Sequence, residues 1–140
     1  MNRAVIVSAL RTPIGNMGGS LKDVSAVKLG ADIVKESMDR IKLNPQCIDE
    51  VIIGNVLGAG LGQNVSRQIA IAAGIPESVT AYTVNKVCGS GMKAVTLAAS
   101  MIQLGEGDIY IAGGTENMSQ VPYALNQYRW GGRIDRKSVV

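Results

Sequence analysis

Cys88 is the side chain that its neighbours best equip to act as a nucleophile. It lies in the run Asn85-Lys86-Val87-Cys88-Gly89-Ser90-Gly91, between a predicted strand and a predicted helix. Two glycines leave little bulk beside the sulfur, and the N–H groups and positive dipole end of a helix start favour a thiolate. The same N–H groups could stabilise an oxyanion on an acylated sulfur. The pattern is compatible with an acyl-accepting thiol or with an inert cysteine in a turn of small residues.

The second cysteine offers no comparable chemistry. Cys47 lies beside Asn44-Pro45-Gln46, which is typical of a structural or surface thiol. The two cysteines fit neither a CxxC motif nor a metal-ligand spacing, so we expect free thiols and no metal site. The sequence contains no histidine, which removes the most common general base.

Two glycine clusters raise the alternative of a nucleotide-binding domain. Residues 15–19 follow an apolar run but lack the Lys-Ser/Thr ending of a P-loop. Gly58-x-Gly60-x-Gly62 has the wrong last spacing for GxGxxG, and no acidic residue ends a strand at the required distance. We therefore expect both clusters to form turns and no nucleotide to bind.

The net charge of +3 is concentrated at one end of the chain of 140 residues. Positive and negative side chains balance over residues 1–120, and the excess comes from Arg129, Arg133, Arg136 and Lys137 against Asp135. This small basic cluster is expected to be solvated surface or to meet a phosphate-bearing ligand. No interleaved aromatic residues or binding motif accompany it, so nucleic acid is not expected as a partner.

Neither a signal peptide nor an apolar run of the length of a membrane span is recognisable in the sequence. Together with two unpaired cysteines, this predicts a protein of the reducing cytoplasm that does not bind a membrane.

The hydrophobic pattern predicts an α/β fold that would hold the Cys88 turn at the end of a sheet. Continuously apolar runs predict buried strands, and amphipathic or apolar stretches between them predict helices. The predicted strands are 4–9, 50–56, 80–84 and 108–114, and the predicted helices are about 24–41, 64–73 and 90–104. The alternation βαβαβαβ is typical of a mostly parallel, buried sheet in a layered fold.

The third predicted helix is apolar almost all round, with Lys93 as its only charge. Such a helix is expected to be buried on all sides. A chain of this length has difficulty covering it alone, and the hydrophobic content of 46% points the same way. We therefore expect another domain or subunit to pack against it.

The run from Val84 to Ala94 resembles the acyl-enzyme signature of the thiolase family. Further stretches resemble that family in the same order along nearly the whole chain, namely 11–21, 54–64, 112–119 and 129–131. The run Cys88-Gly89-Ser90-Gly91-Met92 is similar to the biosynthetic branch, the acetyl-CoA acetyltransferases. The resemblance implies a thiolase N-terminal domain over residues 1–117 and the beginning of the family's loop domain over 118–140.

The resemblance also implies a reaction. Cys88 would accept an acetyl group from acetyl-CoA, and its backbone N–H would form part of one oxyanion hole. A second acetyl-CoA would attack this thioester to give acetoacetyl-CoA and CoA, reversibly. Coenzyme A thioesters would be substrates and no further cofactor is implied. The family also implies a homodimer or homotetramer, with residues 81–84 at the dimer edge.

The sequence departs from the family in its catalytic partners. The histidine and the second cysteine that the family uses are absent, and Cys47 does not match the second catalytic position. We therefore expect that this chain alone does not turn over. A non-catalytic association module built on the thiolase half-fold is the alternative. A ketoacyl synthase is a third interpretation, against which the Cys88-Gly89-Ser90-Gly91-Met92 context and the Arg11-Thr12-Pro13 start count.

Overall fold

The computed structural model describes residues 2–131 and contains one three-stranded sheet between helices. The basic residues predicted at 133, 136 and 137 lie outside the described residues. The helices and strands are α1 (Ala26–Arg40), β1 (Glu50–Gly54), α2 (Val65–Ala72), β2 (Thr80–Val84), α3 (Ser90–Leu104) and β3 (Tyr110–Gly114). Short 3₁₀ turns occupy Pro45–Cys47, Met118–Gln120 and Asn126–Trp130.

The sheet is parallel in the order β2-β1-β3, which confirms the predicted α/β class. Gly54 at the end of β1 stands opposite Val84 of β2 and Gly114 of β3. The carboxyl ends of all three strands therefore meet at one edge, where ligands bind in open α/β sheets. The segment from β2 to α3, which contains Cys88, leaves the sheet at this edge.

Alternating side chains of the central strand divide the core into two layers. Val51 and Ile53 belong to a buried cluster with residues of α1 and α2, whereas Ile52 contacts Ala94 and Ala98 of α3. Successive side chains of a strand point to opposite faces, so α1 and α2 cover one face and α3 the other. The fold is thus a three-layer α/β/α arrangement over the described residues.

The first predicted strand is wrong. Residues 4–9 are not a strand, and Val5, Ile6 and Val7 are exposed by 64%, 77% and 71%. Together with β3, α1 and α3, this segment lines a cavity of about 650 Å³. The apolar run therefore has strand-like composition but pairs with no strand among the described residues.

Helix α3 has the predicted limits but is not buried on all sides. Only Ser90, Ala94 and Ala98 are buried, while Met92 and Leu104 are exposed by 76% and 75%. The sheet covers one face of the helix, and no described element covers the other.

The window Val87–Leu104, with mean hydropathy 1.2 over 18 residues, is by length and composition sufficient for a membrane span, contrary to the sequence expectation. A core helix passes the same test, so the absence of a membrane partner stays a prediction.

The segment that follows β3 fastens the first glycine cluster to the carboxyl edge of the sheet. The Asn117 side-chain N–H donates to the carbonyls of Leu21, Lys22 and Val24, the last at 2.7 Å. The Gly18 N–H donates to Ser119 Oγ at 2.9 Å. The predicted 15–19 loop therefore lies at the same edge of the sheet as the Cys88 segment.

The second glycine cluster is a turn. Gly60 and Gly62 have φ of 80° and 83°, a conformation that favours glycine. Gly60 also lies close to Pro122, since a Cβ on this glycine would be 3.3 Å from the proline ring. Turn formation accounts for both glycines, as predicted.

Candidate active site

Cys88 is an exposed, free thiol in the turn between β2 and α3. Gly89 is the N-cap residue of α3 and makes no side-chain capping bond. Within residues 2–131, the backbone N–H groups of Cys88 and Gly91 donate no hydrogen bond. The thiol therefore stands beside free donors at the positive end of a 15-residue helix, an arrangement that can stabilise a negative charge.

The turn that presents Cys88 contains a residue in a strained backbone conformation. Val87 has a φ of 50°, which is uncommon for a β-branched residue and costs about 1–3 kcal/mol. Two neighbouring side chains hold it. Asn85 Oδ1 accepts the Val87 N–H at 2.9 Å, and Ser90 Oγ donates to the Val87 carbonyl at 2.6 Å. Ser90 Oγ also accepts the Lys86 N–H at 2.8 Å, so one hydroxyl closes the turn from both sides.

Backbone stands directly against backbone beneath this turn. A Cβ on Gly54 would lie 2.4 Å from the Ser90 carbonyl carbon and 2.5 Å from the Gly91 nitrogen. A Cβ on Gly114 would lie 3.1 Å from the Gly91 Cα. Glycines at the ends of β1 and β3 thus let the first turn of α3 rest on the sheet and fix the height of Cys88 above it.

A carboxylate at the end of β3 holds the chain that follows β1. Glu116 Oε2 accepts the Val56 N–H at 2.9 Å, and Oε1 accepts the Asn55 side-chain N–H at 2.9 Å and the Leu57 N–H at 3.2 Å. The Val56 carbonyl in turn accepts a hydrogen bond from Asn85 Nδ2 at 3.3 Å. Glu116 is therefore connected through one peptide group to the side chain that holds the Cys88 turn.

The sequence model "Thiolase, N-terminal domain" matches residues 4–140. The chain belongs to the thiolase family. It is 56% identical over 130 residues to an acetyl-CoA acetyltransferase of Syntrophomonas wolfei, covering 93% of this chain and 33% of the relative. It is 53% identical over 140 residues to a probable acetyl-CoA acyltransferase of Staphylococcus aureus, covering 100% of this chain and 36% of the relative.

Solved thiolase structures have the same fold. The crystal structure of the Bacillus anthracis acetyl-CoA acetyltransferase superposes with a TM-score of 0.91 at 44% identity, over 96% of this chain and 34% of that one. An Ascaris suum thiolase in complex with coenzyme A gives a TM-score of 0.84 at 46% identity, over 92% and 33% of the two chains. The chain spans about a third of the length of the relatives it matches, as the resemblance implied.

Cys47 is too far from Cys88 to be a catalytic partner in this thiolase domain. Cys47 ends a 3₁₀ turn just before β1, whereas Cys88 follows β2. Because β1 and β2 are parallel and in register, the two thiols lie at opposite ends of the sheet. A strand rises about 3.3 Å per residue, so the five-residue strands separate them by roughly 16 Å.

Three residues that shape the site did not emerge as functional candidates from the sequence. Asn85 and Ser90 are inside the Cys88 motif, and an Asn two residues before a turn amide is a recognisable local signal. Glu116 carries no such signal, because the amides it binds lie 59 and 60 residues away in the sequence.

Proposed function

We propose that this chain is the N-terminal part of an acetyl-CoA acetyltransferase of the biosynthetic type, with Cys88 as its acetyl-accepting nucleophile. The observation that carries the proposal is the exposed Cys88 thiol beside free N–H groups at the start of α3. The names of the relatives, acetyl-CoA acetyltransferase and acyltransferase, support the choice of substrate.

The proposed first step transfers an acetyl group to sulfur. Cys88 Sγ, as the thiolate, attacks the carbonyl carbon of acetyl-CoA, and the carbonyl oxygen becomes an oxyanion that the Cys88 N–H can stabilise. Collapse of this intermediate breaks the bond from carbon to the CoA sulfur. CoA leaves as a thiolate and takes up a proton, and acetyl-Cys88 remains.

The proposed second step forms a carbon–carbon bond. A second acetyl-CoA loses a proton from its methyl carbon, and this carbon attacks the acetyl-Cys88 carbonyl. The bond to Cys88 Sγ breaks, which releases acetoacetyl-CoA and restores the thiolate. Proton removal from carbon requires a base near Cys88. The chain has no histidine, and Cys47 lies at the other end of the sheet. We therefore expect this chain alone to stop at acetyl-Cys88.

Incubation with acetyl-CoA followed by peptide mapping tests the first step. We expect slow, single-turnover acetylation of Cys88, no acetylation of that peptide in Cys88→Ala, and unchanged labelling in the matched variant Cys47→Ala. Acetylation of both cysteines at the same rate would overturn the assignment of the nucleophile. Continuous formation of acetoacetyl-CoA by the verified chain would overturn the expectation that it does not turn over.

The proposed oligomer is a homodimer, or a homotetramer built from it, in which β2 pairs with a second copy. Strand β2 is an outer strand of the described sheet, so its outward-facing backbone groups have no neighbouring strand. Sedimentation velocity should show a dimer that dissociates on dilution, whereas a monomer at all concentrations would contradict the proposal. A stable dimer whose Cys88 is not acetylated would instead support the non-catalytic association module.

The remaining parts of the proposal concern the setting of the protein. We propose a cytoplasmic protein whose small-molecule partners are acetyl-CoA and acetoacetyl-CoA. It would need no cofactor besides these coenzyme A thioesters, and it would bind neither nucleic acid nor membrane.

A further inference from the structure

Glu116 lies at the carboxyl edge of the sheet but is not an ion-pair partner in the described chain. The ion pairs within residues 2–131 are all on α1, namely Lys28–Asp32, Lys35–Asp39 and Glu36–Arg40. The Glu116 carboxylate instead accepts hydrogen bonds from Asn55, Val56 and Leu57. Hydrogen bonds that an ionised carboxylate accepts are stronger than hydrogen bonds between neutral groups.

The bond from the Leu57 N–H is the first of three hydrogen bonds that follow one another in the same direction. The Leu57 N–H and the Val56 carbonyl belong to the same peptide group. The N–H donates to Glu116 Oε1 at 3.2 Å, and the carbonyl accepts from Asn85 Nδ2 at 3.3 Å. The other end of the Asn85 side chain, Oδ1, accepts the Val87 N–H at 2.9 Å. Every donor in this series points towards the carboxylate, so each bond polarises the next in the same sense.

The series of hydrogen bonds ends at Val87, the residue of the turn with a strained backbone conformation. Val87 is in the left-handed region, and relaxation to an ordinary conformation would turn the following residue, Cys88, away from its place at the start of α3. We propose that Glu116 is a positioning residue for Cys88, acting through the Val56–Leu57 peptide and Asn85 to hold Val87 in the conformation that presents the thiol. This inference rests on the proposed role of Cys88.

The test is the alkylation of Cys88 by iodoacetamide, measured by peptide mapping as a ratio to Cys47 in the same tube. The ratio in the unmodified chain is expected to exceed one. Glu116→Gln keeps the size of the side chain but replaces one acceptor oxygen with an NH₂ group, which must face one of the three donors. We expect the ratio to fall about tenfold, the factor that corresponds to 1.4 kcal/mol.

Two controls separate positioning from general loss of structure. Asn117→Ala removes an anchor of three hydrogen bonds from the neighbouring residue, but one that binds residues 21–24 and not Asn85. It should change the ratio less than twofold. The alkylation ratio of the double variant Asn85→Ala/Glu116→Gln should not be lower than that of Asn85→Ala alone, because both substitutions break the same series of hydrogen bonds. The Val87 amide resonance should shift in Glu116→Gln and not in Asn117→Ala.

An unchanged ratio in folded Glu116→Gln, or effects of Asn85→Ala and Glu116→Gln that multiply, would overturn the inference. If Glu116→Gln does not fold, Glu116→Asp, which draws the oxygens back by one methylene, must lower the ratio in its place. Alkylation requires no coenzyme A, so the outcome is independent of the proposed acetyl transfer. Failure of acetylation by acetyl-CoA with an intact alkylation pattern would count against the proposed function only.

Discussion

Replacement of Gly54 by alanine is expected to destabilise the chain by about 3 kcal/mol and to reduce the reactivity of Cys88. The new Cβ would lie 2.4 Å from the Ser90 carbonyl carbon and 2.5 Å from the Gly91 nitrogen. These are backbone atoms of the first turn of α3, so no flexible side chain can move aside. The helix start must rise from the sheet, and Cys88 must move with it.

Gly91→Ala is the matched control for this substitution. A Cβ on Gly91 would be 3.6 Å from Gly114, which is an ordinary van der Waals distance. Alanine also favours a helix over glycine by about 1 kcal/mol, so we expect little change or a small stabilisation. Urea unfolding followed by circular dichroism measures both variants, and iodoacetamide mapping reports Cys88. Equal destabilisation by the two substitutions would show that the contact between Gly54 and the first turn of α3 does not determine the height of Cys88 above the sheet.

The elements beside Cys88 could be predicted closely from the sequence, because their limits are marked locally. The predicted limits of β2 and α3 agree with the structure, and α3 ends at Gly105, whose φ of 80° is the usual conformation of a helix-ending glycine. The run at 4–9 has equally strand-like composition, but it is not a strand. Whether an apolar run becomes a strand depends on a neighbour distant in sequence, and composition does not contain that information.

The candidate site likewise contains residues that the sequence motif indicates and residues that only the structure reveals. The nucleophile and two of the groups that hold its turn lie within six residues of one another, so the motif itself contained them. Glu116 and Gly54 are distant in sequence and reach the turn only because three parallel strands end at the same edge. Their importance follows from contacts between strand ends, which no spacing along the chain reveals.

Replacement of Ser66 by alanine is expected to destabilise the chain by about 2 kcal/mol, because it removes the hydroxyl that joins a buried N–H of β1 to a part-buried carbonyl of β2. Ser66 is fully buried at the start of α2. Its Oγ accepts the Ile53 N–H at 3.0 Å and donates to the Tyr82 carbonyl at 2.6 Å. The hydroxyl thus bridges β1 and β2, and alanine can neither accept nor donate in its place.

Ser100→Ala is the matched control, since it makes the same chemical change on an exposed helical face. The Ser100 hydroxyl donates to the Thr96 carbonyl, a group already engaged by the helix, at 2.9 Å. We expect its free energy of unfolding in urea to change by less than about 0.5 kcal/mol. A loss in Ser66→Ala no larger than in Ser100→Ala would mean that β1 and β2 can close over the missing hydroxyl. A large loss of unfolding free energy confined to Ser66→Ala would show that the Ser66 hydroxyl of α2 joins β1 to β2. Asn85, which holds the Cys88 turn, directly follows β2.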